Sequence, residues 1–316
     1  MRLLAIAGML LLGQTPQFVY RSADQYLTVY KGKTFDIEYL TNGDVSFRVD
    51  GGSDVVLVES RLDGLKISSN VMSGVESKAE EEIEREVNKK FIKDKVKRSY
   101  FKELKADGTT TLILDSTLQF ESAKSQAERL KLPPPEEPTS TEVTTFRTKS
   151  LDYSGVATEG TLIVSSPFTV DSDSKGKAKE ASFTQRLTAS GTSARFTLDP
   201  KAKAKEKDKK ANPIRTGSIV GPVKVNIDRT ETTPGEPLPV RINITCSADK
   251  VDLNLVGERT ITFTGNVKLD GNNGVYTGSS TGAMAVITLD ENMKPVKIRI
   301  SGEPVDSRFK KAGGGK

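Results

Sequence analysis

Chemistry at neutral pH needs side chains that can hold a proton, a metal or a nucleophilic electron pair, and this chain is poor in them. Histidine is absent from all 316 residues. That removes His-based triads, imidazole general bases and most zinc or iron ligand sets. Cys246 is the sole cysteine, so neither an intramolecular disulfide nor a thiolate metal cluster can form. It ends the alternating run Ile242-Asn243-Ile244-Thr245-Cys246 and reads as a small apolar residue facing a core. No Walker loop occurs, and no GxGxxG joins a strand to a helix. The glycines of 271–282 lie between strands, where turn chemistry accounts for them. Paired carboxylates could in principle form a glycosidase engine. Acidic residues are spread along the chain without a distinguished pair, and there is no tryptophan to stack a sugar. The residues therefore predict no enzyme, no metal and no cofactor.

What remains is patterned apolar surface. From Val251 to Pro304, Ile261, Phe263, Val267 and Leu269 take odd positions, while Thr262, Thr264, Asn266 and Lys268 take even ones. A period of two places one set on each face of a strand. Gly271-Asn272-Asn273-Gly274 then turns the chain. Ala285, Ile287 and Leu289 alternate again, Asp290-Glu291-Asn292 turns, and Val296, Ile298 and Ile300 alternate once more. Strands of this kind predict an antiparallel sheet with one apolar face, which must be covered by a second sheet or by a ligand. The candidate ligand-facing residues are Ile261, Phe263, Val267, Leu269, Ile287, Leu289, Val296, Ile298 and Ile300.

The run ITFTGNVKLDGNNGVYTG, followed by KPVKIRISGEP, resembles the repeat of the OstA-like/LptA family, at Gly265-Asn266-Val267 and Ser301-Gly302-Glu303-Pro304. FRTKSLDYSGVATEGTLIVSSPFTV resembles the strand pattern of LptC, the inner-membrane partner in the same export system. The first resemblance covers about the last quarter of the chain. It implies a mainly β fold, with repeated antiparallel strands forming an open β-jellyroll. It also implies a periplasmic carrier or bridge for lipopolysaccharide, acyl chains in the apolar groove and head group in water. The implied partners are a glycolipid such as lipopolysaccharide, and other β-jellyroll components or self-copies joined by edge-strand addition.

The elements that would carry such a groove follow from the rest of the chain. Phe35, Ile37 and Tyr39 alternate, Asn42-Gly43 turns, and Val45, Phe47 and Val49 return, a strong hairpin signal. Val75–Leu104 departs from this pattern. Ala79, Ile83, Val87, Phe91, Val96, Tyr100 and Leu104 recur every four or five residues. Glutamates crowd its first half and lysines its second, which suits the helix dipole. This predicts one inserted amphipathic helix near 75–104, a feature foreign to the OstA-like pattern. Strands are expected over Thr109–Phe120, a short helix over Ser122–Lys131, and a stiff linker over Pro133–Ser140.

A chain of 316 residues suits about two domains or one repetitive assembly. Met1-Arg2 followed by the apolar run Leu3–Leu12 predicts a signal peptide or short anchor over 1–15, and a periplasmic address. The blocks read as 16–132, an N-terminal β block carrying the helix; 133–199, a middle β block; 200–212, a Lys-rich loop; 213–306, the OstA-like block; and 307–316, a disordered tail. The net charge of +5 is concentrated. The stretch 201–211 holds six lysines against two acids, and 308–316 holds four cations, which leaves −3 elsewhere. A nucleic-acid surface needs clustered charge on a folded face, so no nucleic-acid partner is expected. The competing reading is a secreted structural or adhesive β-protein with a closed core and no lipid; a third is a half-barrel carrier with a helical lid.

Overall fold

The computed structural model describes residues 20–21, 27–30, 32–52, 55–61, 64–87, 90–155, 160–178, 181–198, 214–272, 276–291, 293–303 and 305–311. The expected signal segment 1–15, the Lys-rich loop 200–212 and residues 312–316 lie outside the described residues.

The chain runs through β1 (Tyr20–Arg21), β2 (Leu27–Tyr30), β3 (Thr34–Tyr39), β4 (Val45–Asp50), β5 (Val56–Ser60) and β6 (Leu65–Ser69). Two long strands follow, β7 (Val71–Val87) and β8 (Lys90–Asp115), then the helix α1 (Ser116–Leu130). After β9 (Ser140–Tyr153) come β10 (Thr161–Val164), β11 (Phe168–Ala178), β12 (Ala181–Gly191) and β13 (Ser193–Leu198). The last part holds β14 (Ile214–Thr232), β15 (Val240–Asn254), β16 (Thr260–Asn272), β17 (Tyr276–Leu289), β18 (Pro295–Ser301) and β19 (Asp306–Lys311).

All strand pairs are antiparallel, and they order the strands into two tiers. The lower half-sheet runs β3-β4-β7-β8-β9-β10-β13-β14-β15-β16-β17-β18. The upper half-sheet runs β1-β2-β5-β6-β8-β9-β11-β12-β14-β15-β16-β17-β19. β8, β9, β14, β15, β16 and β17 pass through both tiers. Pairs such as β10 with β11, and β12 with β13, are the two halves of one interrupted strand. Because β9 and β14 belong to both tiers, β9-β11-β12-β14-β13-β10 closes into a six-strand ring.

The long strands shift register at the bend, between Asp107 and Thr110, Val220 and Val223, and Thr264 and Val267. A local device recurs there. Gly108 (φ 100°), Gly221 (φ 103°) and Gly265 (φ 77°) take positive φ, which a side chain seldom adopts. A Cβ on any of them would collide with the polar side chain of the neighbouring strand's bend residue, Asn70, Thr192 or Asp249 respectively. Those side chains also tie the bend. Asn70 Oδ1 accepts from Thr109 N at 2.7 Å, Thr192 Oγ1 donates to Val220 O at 2.8 Å, and Asp249 Oδ2 accepts from Asn266 Nδ2 at 2.8 Å.

The bend also preserves burial. In β9, Thr144, Phe146 and Thr148 are buried before it, and Leu151 and Tyr153 after it. In β15, Ile242, Ile244, Cys246 and Ala248 give way to Val251. The switch of parity keeps one face inward along the whole strand. The inward faces of both tiers join in a single apolar core. β8 pairs with β9, and β12 and β13 pair with β14, so the sheet is continuous from one expected block to the next.

Three expectations need correction. Val75–Leu104 is no helix: it lies in the β7/β8 hairpin, paired from Val71↔Asp107 to Val87↔Lys90. The segregation of charge has a second solution, which the chain adopts. In the register Glu80, Glu82 and Glu84 stand opposite Lys97, Lys95 and Lys93, and Glu80 lies within ion-pair distance of Lys95 (3.5 Å) and Lys97 (4.0 Å). The expected strand over Thr109–Phe120 ends at Asp115, whose carboxylate accepts from Thr117 N (2.8 Å) and Leu118 N (3.2 Å) and starts α1 at Ser116. The helix ends at Lys131, which takes the left-handed conformation. In the tail, Asp306–Lys311 forms β19 on β17, so residues 307–311 are ordered by a sheet edge.

Candidate functional site

The two half-sheets are continuous along the bend and separate at their other ends. Between them lies a cavity of about 100 Å³. Phe146, Val170 and Leu187 line it from the upper tier, and Phe196, Leu253 and Ile261 from the lower. Each is in place because strand alternation directs it inward. Phe146 and Phe196 meet edge to face, 5.5 Å between centroids, and bind the tiers together at the cavity wall.

The candidates read from the sequence divide into three groups. Ile261, Phe263, Val267, Leu269, Ile287 and Leu289 are buried in the common core, and Ile261 also borders the cavity. Ile298 and Ile300 are partly buried, because β18 is the outer strand of the lower tier among the described residues and pairs there with β17 alone. Val296 is 57% exposed and does not face the interior. Thr288 pairs with Lys297 and Leu289 with Pro295, so Val296 is the extra residue of a β-bulge and is turned outward.

The mouth of the cavity, at the ends away from the bend, is polar. On the upper tier Glu142 Oε1 accepts from Ser172 Oγ at 2.8 Å and Thr144 Oγ1 at 3.1 Å. Beside them sits Arg229, whose side chain is fully buried. It lies 4.1 Å over the Phe183 ring and donates to Gln185 Oε1 (3.0 Å) and Glu231 Oε1 (2.9 Å). The other oxygen of Glu231 accepts from Lys294 Nζ at 2.5 Å. Lys294 belongs to the β17–β18 connection of the lower tier, so this ion pair joins the two tiers next to Met293 of the cavity lining. Burial pushes the Glu231 carboxyl upward, but hydrogen bonds from Lys294 and Arg229 outweigh it and hold the group below its ordinary value. Met293, at φ 59°, sends its side chain into the cavity lining beside Lys294.

Sequence reasoning overlooked this charged mouth, although part of it was legible. Val223, Val225 and Ile227 alternate inward, and Arg229 continues that parity. A charge on an inward face needs a partner or a role. Nothing local pointed to Lys294, 63 residues from Glu231.

Cys246 is buried beneath the upper tier, and burial with the nearby Asp270 pushes its thiol up to about 12. It is a core residue with suppressed reactivity. Among the described residues, no three acidic, cysteine or histidine side chains could hold a metal together. A second concavity, about 670 Å³ and open to solvent, lies by the outer face of the upper tier. It is bordered by Thr245, Asp270, Asn272, Arg308 and Lys310. The chain matches no protein-family model, no curated protein and no solved structure.

Proposed function

We propose that the chain is a carrier for an acylated amphiphile of the lipopolysaccharide type, holding an acyl chain between its half-sheets while the polar head stays at the mouth. The observation that carries this reading is the cavity itself. It is apolar on both walls and polar where it opens, which is the polarity profile of an acyl chain joined to a head group. Each methylene transferred into it from water contributes about 0.8 kcal/mol. A pair of facing, bent half-sheets also fits the OstA-like jellyroll suggested by Gly265-Asn266-Val267 and Ser301-Gly302, both of which sit at the bend. In that reading the chain works in the periplasm, and the edges β18 and β19 offer backbone groups to a second jellyroll.

A closed-core structural protein is the second reading, favoured by the size of the cavity. A space of about 100 Å³ accepts a few methylenes only, so a carrier must widen it to load. Photo-crosslinking separates the two. A photoreactive residue replaces Leu187 or Leu253, both partly buried at the cavity, with the outward Lys268 as control. Glycolipid adducts at Leu187 and Leu253 but not at Lys268 support the carrier. A folded chain that gives no adduct at any of the three positions supports the closed core.

A further inference from the structure

We propose that the Lys294–Glu231 ion pair is the latch of the cavity: it holds the free ends of the two half-sheets together, and its release opens the cavity to the ligand. The inference rests on the carrier reading for its ligand, though the mechanical claim has its own test. On one side the tiers are joined covalently, because six strands run through the bend. On the other side, among the described residues, no strand passes from one tier to the other. There Lys294 of the lower tier reaches Glu231 of the upper, and Met293 fills the space behind it.

Three features suit this pair to opening and closing. The Lys294 side chain is 33% exposed and that of Glu231 13%, so water and salt can compete for the contact without unfolding either strand. Glu231 keeps a second partner when Lys294 leaves, because Arg229 remains bound to its other oxygen, and the buried guanidinium is never stranded. The backbone at Lys294 is fixed on its own tier: Lys294 N donates to Asp290 Oδ1 at 3.0 Å, and Lys294 O accepts from Asp290 N at 2.9 Å. The lysine therefore travels with the lower half-sheet, and parting the tiers breaks the contact as a unit. Glu142, a carboxylate of the cavity lining, accepts from Ser172 and Thr144 within the upper tier. Met293 contributes an unbranched side chain able to repack around an incoming alkyl chain.

The test uses the full chain with Cys246→Ala, so that a single new thiol, Ala189→Cys, reports from the cavity lining. Its alkylation rate by an uncharged thiol reagent measures opening. Replacing Lys294 by Met is expected to raise that rate at least tenfold, and Lys294→Arg to return it to within about threefold of the parent. An unchanged rate in Lys294→Met, or a rate in Lys294→Arg as high as in Lys294→Met, overturns the latch. A polarity-sensitive fluorescent fatty acid is added in parallel. If Lys294→Met opens the cavity but no variant takes up this probe, the carrier reading fails and the latch stands; faster uptake in Lys294→Met supports both.

Discussion

Phe146 offers the most direct measure of how the two tiers hold together. It is fully buried, meets Phe196 across the tiers at 5.5 Å and borders the cavity. Truncation to alanine removes a buried aromatic ring, a transfer loss of about 1.5–3 kcal/mol. It also leaves a void that bent strands anchored at both ends cannot readily fill. If that void is on the order of 100 Å³, at about 24 cal/mol per Å³, it adds roughly 2.4 kcal/mol. The expected loss is therefore about 4–5 kcal/mol, read as the difference in unfolding free energy between parent and Phe146→Ala in guanidinium titrations. The same substitution enlarges the cavity, so a small apolar ligand such as benzene should recover part of the loss. At a hundred times its Kd, such a ligand restores about 2.7 kcal/mol to the variant, with little effect on the parent. A loss below about 1.5 kcal/mol would refute the reasoning, because it would mean that the ring is not packed between the tiers. A full loss without rescue by benzene would refute continuity between the ring's site and the cavity.

Asp115→Ala removes the side-chain cap of α1 and should cost about 0.5–2 kcal/mol, whereas Asp115→Asn should cost far less; thermal unfolding of the two variants checks the order. Gly221→Ala places a side chain at φ 103° against Thr192 and should destabilise by more than about 1 kcal/mol, while Gly43→Ala, in an open turn, should cost less. Cys246 should resist alkylation at pH 8 in the native protein and react at once in denaturant. Its folded thiol value is raised to about 12 while the unfolded chain titrates near ~8.5, so its contribution is complete below ~8.5 and falls as pH climbs toward 12. Cys246→Ala should flatten that alkaline decline in a pH series of unfolding midpoints.

The strands were legible because alternation survives burial: the odd-numbered set from Ile261 to Leu289 faces the core as their spacing requires. The bend was harder to read. Its signature is a change of parity inside a strand, as between Thr148 and Leu151, which in a sequence looks like the end of one strand and the start of another. Gly265-Asn266 lies on that line, at a corner within the long strand β16, and Gly302 follows β18 at the same level. The hairpin of β7 and β8 was misread because acids followed by bases satisfy a helix dipole and a cross-strand ladder equally well; only the pairing partner decides. Val296 leaves the alternation for a smaller reason, since a single bulge residue reverses one side chain in an otherwise regular strand. The latch joins residues whose neighbourhood is made by tertiary closure alone.

The order of the two half-sheets has a kinetic corollary. The six strands that pass through both tiers each pair with the strand before and the strand after, and the ring of six closes within 140–232. Contacts therefore form between segments close in sequence, which for a β-rich chain of this length means low contact order. Each new hairpin can be templated on the last as the polypeptide leaves the ribosome, with Gly108, Gly221 and Gly265 and their polar partners setting three of the corners. Growth by accretion of this kind makes the chain resemble a repeat array in its energetics, so a lesion in β16 or β17 should spread to its neighbours and leave the β3–β8 end folded.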